Sequence, residues 1–209
     1  MLCVFGCLLT EEGKKIKEEM LEWLEKEYDV LCIDQKPPGK LFEYPAIKYT
    51  CKLSMETNEP VLYIHTKGAA NKIPEDYEHR MMSPSIDYPK NATPEDCQKI
   101  VRNMWRHEFT GNRSQLYKDA IDVQKPTVSC PHTGKEKFTW NNAWMINTSA
   151  ARILDNSLKQ YNDRFVYETL FSKTPDIDVI GIIKNNCDEK EPFHKSLWDS
   201  IWKFYEPNK

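Results

Sequence analysis

Short apolar runs alternate with amphipathic segments along the first third of the chain. The apolar runs at 2–9, 29–34 and 61–65 predict buried strands, and the segments 10–28 and 43–59 place their apolar residues at helical spacing. A strand–helix–strand–helix–strand order within 65 residues is typical of a doubly wound α/β protein. We therefore expect a Rossmann-like, mostly parallel sheet with helices on both faces, in a single domain.

The pattern becomes less regular after the third strand. Residues 69–94 contain four prolines and no clear period, which predicts a long loop or a lid over a site. Thr10 and Ser149 stand where N-caps of helices are expected. Further along, the pattern predicts helices over 94–109, 113–121, 149–160, 164–172 and 194–205, and strands near 127–129, 143–147 and 177–183.

Composition limits the classes of function. The 209 residues fit one domain, and a net charge of −3 provides no basic surface for a nucleic-acid backbone. No apolar run approaches the ~20 residues of a membrane helix, and we interpret the apolar residues 1–9 as a strand and not as a signal peptide. The seven cysteines are scattered and mostly lie in apolar runs, which favours reduced thiols and a cytoplasmic location.

The third strand ends in a group of polar residues. Residues 61–68 read Val-Leu-Tyr-Ile-His-Thr-Lys-Gly, so His65, Thr66, Lys67 and Gly68 follow an apolar strand directly. Ligands of open α/β sheets bind at the carboxyl ends of strands. Other motifs fail, because the sequence contains no Gly-X-Gly-X-X-Gly, no Gly-X-Ser-X-Gly and no complete phosphate-binding loop.

Four segments resemble one family of proteins. Phe42-Glu-Tyr-Pro-Ala-Ile, followed by Glu59-Pro-Val-Leu-Tyr-Ile-His-Thr-Lys-Gly, resembles bacterial glycosyltransferases whose apolar strand ends in Tyr-Leu/Ile-His-Thr-Lys-Gly and which look like relatives of the GT-A fold. The segments that begin at Trp105, Phe138 and Arg164 are similar to the family's Trp-Arg, Phe-Ser-Gly-Asn-Phe-Trp-Trp and Arg-Tyr-X-X-Glu segments. The second of these departs from the family, with Trp140 at the glycine and Ala143 at the first tryptophan.

The resemblance implies a role for each matching residue. GT-A enzymes usually hold a divalent metal with an Asp-X-Asp motif, and here His65-Thr66-Lys67 takes that place, so no metal and no cofactor is expected. Glu168 is the implied catalytic base and Lys67 the implied catalytic cation. The implied donor-binding residues are His65, Thr66, Lys67, Gly68 and Arg106, and the implied acceptor-binding residues are Trp140, Asn141, Asn142 and Trp144.

Several of these residues also have a purely structural interpretation. Lys67 can be a solvated lysine at a strand end, His65 can satisfy a buried turn, and Thr66 can cap the segment that follows. Glu168 can be an ordinary glutamate on a helix surface, and Trp140 and Trp144 can be core residues. The residue types alone leave these alternatives open.

Three functions remain at this point. The first is a glycosyltransferase, hexosyl or related, that uses a nucleotide-sugar donor and a glycan or cell-envelope acceptor in polysaccharide biosynthesis in the bacterial cytoplasm. The second is a non-catalytic module on the same fold that binds nucleotide sugars or glycans. The third is a phosphotransferase or nucleotidyltransferase, which needs metal-binding carboxylates for which Glu75, Asp76, Asp119 and Asp122 are candidates. In the GT-A-like domain that the resemblance implies, residues 1–68 form the nucleotide-binding half, 69–94 a loop or lid, and 95–209 the acceptor-side half with a C-terminal helix.

Overall fold

A six-stranded sheet organises the part of the chain that the computed structural model describes, which comprises residues 1–36, 43–66, 94–133, 137, 139, 143–160 and 164–183. The strands are β1 (Leu2–Leu8), β2 (Asp29–Gln35), β3 (Val61–His65), β4 (Thr127–Cys130), β5 (Trp144–Ile146) and β6 (Asp178–Gly181). Their order across the sheet is β2-β1-β3-β5-β4-β6. β1 is therefore the second strand from one edge of the sheet, and the next two strands of the chain flank it.

The sheet is mixed, which corrects the doubly wound parallel arrangement in one respect. β1 pairs in parallel with β2 and β3, and β4 pairs in parallel with β6. β5 is antiparallel to both of its neighbours, so five strands run in one direction and β5 runs in the other. β4 and β5 are consecutive in sequence, and antiparallel neighbours need no helical crossover.

Five α-helices and one 3-10 helix cover the two faces of the sheet in the described ranges. They are α1 (Glu11–Glu27), α2 (Tyr44–Thr57), α3 (Pro94–Glu108), α4 (Gly111–Asp119), α5 (Thr148–Ser157) and the 3-10 helix Arg164–Lys173. One core cluster joins α1, α3 and α4 to one face, and a second joins α2, α5 and the 3-10 helix to the other. The expected single α/β domain with helices on both faces is confirmed.

The alternation of side chains along β1 explains the two clusters. Cys3, Phe5 and Cys7 belong to the cluster on the α1 side, and Val4 belongs to the cluster on the α2 side. Successive residues of a strand point to opposite faces. A run of apolar residues without polar alternation is therefore what a strand covered on both faces requires.

Local signals located most element ends within a few residues. Thr10 caps α1 as predicted, since its Oγ1 accepts a hydrogen bond of 2.8 Å from the Gly13 N–H. The predicted cap at Ser149 was wrong, because Asn147 caps α5 and its Oδ1 accepts from the Ala150 N–H at 2.9 Å. The segment from Arg164 forms a 3-10 helix. The predicted helix 194–205 and the loop 69–94, up to residue 93, lie outside the described residues.

Candidate functional site

The candidate site lies where β1 and β3 end side by side. From β1 the chain continues through α1 to β2, which lies next to β1 toward one edge of the sheet. The strands that follow β3 in the sequence all lie toward the other edge. Adjacent parallel strands whose connections diverge in this way leave a crevice beyond their carboxyl ends, and this is the usual ligand position in open α/β sheets. His65 and Thr66 thus lie at the carboxyl end of β3, where the sequence predicted them.

Thr66 ties the end of β3 to β1. Its N–H donates to the Gly6 carbonyl at 2.9 Å, and its Oγ1 accepts from the Leu8 N–H at 3.0 Å. The side chain is buried, with 6% of its surface exposed. The hydroxyl therefore completes the strand pairing and fixes the backbone immediately before Lys67.

His65 is held beside a carboxylate that the site prediction did not include. Glu43 stands just before α2, and its Oε1 lies 3.8 Å from His65 Nε2. Its other oxygen, Oε2, accepts a 3.1 Å hydrogen bond from the Tyr63 hydroxyl. Burial, together with the neighbouring Glu43 carboxylate, raises the pKa of Tyr63 well above its usual value. The only sequence signal for Glu43 was its place in the segment Phe42-Glu-Tyr-Pro.

α2 approaches the same end of the sheet closely because β1 carries a glycine there. Gly6 pairs with His65 across the two strands, and a Cβ at Gly6 would lie 3.0 Å from the Cβ of Ala46. A side chain at this position would force α2 away from the strand. The glycine therefore keeps Glu43, at the start of α2, near His65.

Trp105 approaches His65 from the opposite face of the sheet. The ring centroids of the two residues lie 5.5 Å apart in an edge-on arrangement. The Trp105 side chain is fully buried, and its Nε1–H has no hydrogen-bond partner in the described structure. Buried donors are nearly always paired. The indole N–H beside the histidine of this site is therefore a donor that a water molecule or a ligand can use.

Arg106 and Trp144 differ in their exposure to solvent. Arg106 lies on the exposed side of α3, directly after Trp105. Trp144 is fully buried in β5, with ring centroids 4.8 Å from Tyr63 and 5.4 Å from Phe171. In this conformation Trp144 supports Tyr63 from within the core, and its ring does not meet solvent.

The remaining predicted site residues cannot be placed geometrically. Lys67, Gly68, Trp140, Asn141 and Asn142 lie outside the described residues. Glu168 belongs to the 3-10 helix, but its side chain is also outside the described part.

An apolar groove lies between α2 and Asp155 of α5. It has a volume of about 450 Å³ and contains a bridge between Lys48 Nζ and Asp155 Oδ1 of 2.7 Å. Tyrosine rings beside such a charged pair can contact the C–H face and the hydroxyls of a sugar ring. The groove is lined by Tyr44, Pro45, Lys48, Tyr49, Lys52, Met55 and Asp155.

The described residues contain no group of three or more His, Cys, Asp or Glu side chains that could hold a metal ion. Among the helices that are described, none is long and apolar enough to cross a membrane.

Fold and site together define a class. The chain is a single-domain α/β protein with a mixed six-stranded sheet and a polar site beyond the ends of two parallel strands. Comparison with protein-family models, with curated proteins and with solved structures gives no match.

Proposed function

We propose that the chain is a glycosyltransferase that moves a sugar from a nucleotide-sugar donor to a glycan or cell-envelope acceptor, without a metal held by Asp-X-Asp. The observation that carries the proposal is the end of β3. There Thr66 is bonded to β1, and His65 lies between Glu43 and the unpaired indole of Trp105.

The donor's diphosphate is the part of the substrate that this site must neutralise. Sugar transfer leaves negative charge on the departing nucleoside diphosphate, and preorganised cations or N–H donors stabilise it. Lys67, which directly follows Thr66 in the sequence, is the first cation of the proposal, and the backbone and hydroxyl of Thr66 are fixed on β1. Arg106 on α3 is the second cation of the proposal, and the Trp105 Nε1–H is an additional donor for a phosphate or sugar oxygen.

Removal of a proton from the acceptor hydroxyl is the second requirement. Glu168 fills this role by resemblance, and Trp140, Asn141, Asn142 and Trp144 are the acceptor-side residues. For Trp144, full burial against Tyr63 makes support of the site the more direct contribution. Glu43 orients His65, since its carboxylate reaches both Tyr63 and His65.

Donor binding is tested by thermal unfolding of the purified chain with UDP-, GDP-, CMP- and dTDP-sugars, each in EDTA and in manganese. A ligand at about 100 times its Kd adds ~2.7 kcal/mol to the free energy of unfolding. For a domain of this size that corresponds to a rise in Tm of roughly 5–10 °C. We expect this rise in EDTA with one nucleotide class, and the absence of a rise with every donor would contradict the proposal.

Two variants separate donor binding from catalysis. Lys67→Ala should remove most of the donor-induced rise in Tm, whereas Lys99→Ala, at an exposed lysine of α3, should leave it unchanged. Glu168→Gln should retain the rise but abolish sugar transfer, measured by release of the nucleoside diphosphate. Donor binding without any transfer by the unmodified chain would instead support the non-catalytic module.

A further inference from the structure

Two cysteines lie next to each other on the face of the sheet that α1 covers. In the parallel pairing of β1 and β2, Phe5 is opposite Cys32 and Cys7 is opposite Asp34. Paired residues point to the same face, as do residues two apart on one strand, so the two thiols are diagonal neighbours on that face. Cys7 is buried, whereas Cys32 is exposed on β2, the edge strand of the described sheet.

The surroundings of the two thiols shift their pKa values in opposite directions, so that Cys32 ionises more easily and Cys7 stays protonated. The interaction between the two thiols is the largest influence on each, and it lowers the pKa of Cys32 to about 7 while it raises that of Cys7, whose thiol donates to the Phe5 carbonyl at 3.4 Å. Burial raises the pKa of Cys32, the Lys17 ammonium of α1 lowers it, and the Asp34 and Glu25 carboxylates raise it. The thiolate is the reactive form of cysteine, so the reactive sulfur is the one that solvent reaches.

An ion pair with Asp34 holds the Lys17 ammonium group in place near Cys32. Its Nζ lies 2.8 Å from both carboxylate oxygens of Asp34, which is the residue opposite Cys7. The ammonium group is therefore fixed over the same face of β1 and β2 that carries the two thiols.

We propose that Cys32 and Cys7 form a reversible disulfide in response to hydroperoxides. The Cys32 thiolate attacks the peroxide oxygen, the O–O bond breaks, and a sulfenic acid forms while water or an alcohol leaves. The Cys7 sulfur then attacks the Cys32 sulfur, the S–O bond breaks, and water leaves with the proton of Cys7. In total two thiols lose two electrons, and the peroxide is reduced to water and either water or the alcohol.

The position of the pair suits a bond that is easily reduced. Strands lie about 4.8 Å apart with a rise of about 3.3 Å per residue, so the Cα atoms of diagonal neighbours are roughly 8 Å apart, beyond the ~4.4–6.8 Å that disulfides favour. Closure must therefore draw the end of β2 toward β1, which is feasible because β2 is paired on one side only within the described sheet. Strained and exposed disulfides are the easily reduced ones.

The disulfide would act on the candidate site through β1. Cys7 lies between Gly6 and Leu8, and these two residues form the backbone contacts to Thr66. A displacement of Cys7 therefore disturbs the bonds that fix Thr66 before Lys67. The effect on a nucleotide-sugar donor rests on the proposed function, whereas the disulfide and the disturbance of Thr66 do not.

Peptide mapping tests the bond itself. The reduced full chain is treated with hydrogen peroxide, alkylated, cleaved with trypsin without reduction and analysed by mass spectrometry. We expect a cross-link between the peptides 1–14 and 27–40, and fragmentation between Cys3 and Cys7 should place it on Cys7. Cys32→Ser should abolish this cross-link, and Cys7→Ser should leave a Cys32 sulfenic acid that dimedone traps. The control Cys51→Ser removes a buried thiol on the other face of the sheet and should leave the cross-link unchanged.

Amide hydrogen exchange tests the consequence without any donor. Oxidation should accelerate exchange of the Leu8 and Thr66 amides about tenfold, and a reductant should reverse the change. Cross-links of Cys32 to Cys3, Cys97 or Cys187, or an unmodified Cys32 under peroxide, would overturn the proposal. Unchanged exchange in the cross-linked chain would overturn its effect on the site.

Discussion

At the scale of single residues, the end of β3 depends on polar groups that satisfy one another. The Glu43 carboxylate accepts from Tyr63 and faces His65, so one side chain outside the sheet orients two residues within it. Thr66 performs the corresponding task toward β1. A site whose polar groups are already fixed before a ligand arrives loses less entropy on binding.

Replacement of the Thr66 hydroxyl tests this arrangement. Thr66→Val keeps the shape of the side chain but leaves the Leu8 N–H without its acceptor, and we expect the free energy of unfolding to fall by about 1–3 kcal/mol. Thr66→Ser retains the hydroxyl and should cost less. Urea denaturation of the two variants measures the difference, and equal losses would mean that the hydroxyl contributes little.

At the scale of elements, one asparagine joins three segments of the chain. The Asn147 side chain accepts from the Ala150 N–H at the start of α5 and from the Thr127 N–H of β4, at 2.9 and 3.2 Å. Its amide group donates to the carbonyls of Asp122 and Lys125, at 2.7 and 2.6 Å. The Asn147 side chain therefore joins the start of α5 to the start of β4 and to the turn that precedes β4.

Substitution of Asn147 should be costly for this reason. Asn147→Ala removes these four hydrogen bonds, and a fifth that the Ser149 Oγ donates to Asn147 Oδ1 at 3.1 Å, from a buried position, and we expect a loss of roughly 3–5 kcal/mol. Asn147→Asp keeps the acceptors but places a carboxylate against two carbonyls, so it should also destabilise the fold. Ser149→Ala is the matched control within the first turn and should cost less than ~1 kcal/mol, which urea denaturation can resolve. A larger loss for Ser149→Ala than for Asn147→Ala would contradict the assignment of the cap.

The comparison of Asn147 with Ser149 shows how far sequence patterns reach at this scale. Local chemistry identified Thr10 as a cap and located the apolar strands, because those signals lie within a few residues of one another. Asn147 and Ser149 are both acceptable N-caps in isolation. The choice between them depends on partners 20 or more residues away, such as Thr127, which sequence spacing does not reveal.

At the scale of the whole molecule, sequence patterns predicted the elements better than their assembly. The apolar segment 143–147 was expected to be a strand, but its apolar residues carry no information about direction, and β5 runs opposite to its neighbours. The same limit applies to the site. His65 was found from its position after a strand, whereas Glu43 and Trp105 reach it only through the packing of α2 and α3 on opposite faces.

Three buried tyrosines make the free energy of unfolding depend on pH in the alkaline range. Tyr28, Tyr63 and Tyr117 are at most 5% exposed, and burial is the main cause that raises the pKa of each. Tyr28 donates to the Phe109 carbonyl, Tyr63 to Glu43 and Tyr117 to Glu108. In all three the native fold therefore holds the phenol in its protonated form.

The sign of the effect follows from the protons bound in each state. In the unfolded chain these phenols lose their protons near pH 10, but the native protein retains them. Above that pH the unfolded chain binds fewer protons, so the free energy of unfolding falls by up to about 1.4 kcal/mol per pH unit for each tyrosine. Buried thiols such as Cys51, whose pKa burial raises to about 12, start the decline near pH 9.

Urea denaturation at pH 9, 10 and 11 measures this decline in the free energy of unfolding. One tyrosine variant can show how much of the decline comes from a single buried phenol. We expect the decline from pH 10 to 11 to be steeper than that from pH 9 to 10, because the tyrosines add to the thiols there. Tyr117→Phe should be less stable near pH 8, because the Glu108 carboxylate loses a donor, yet it should decline less steeply above pH 10. Tyr49→Phe, at a partly exposed tyrosine of α2, should keep the steep decline. Constant stability of the unmodified chain up to pH 11 would show that the native fold does not hold these tyrosines protonated.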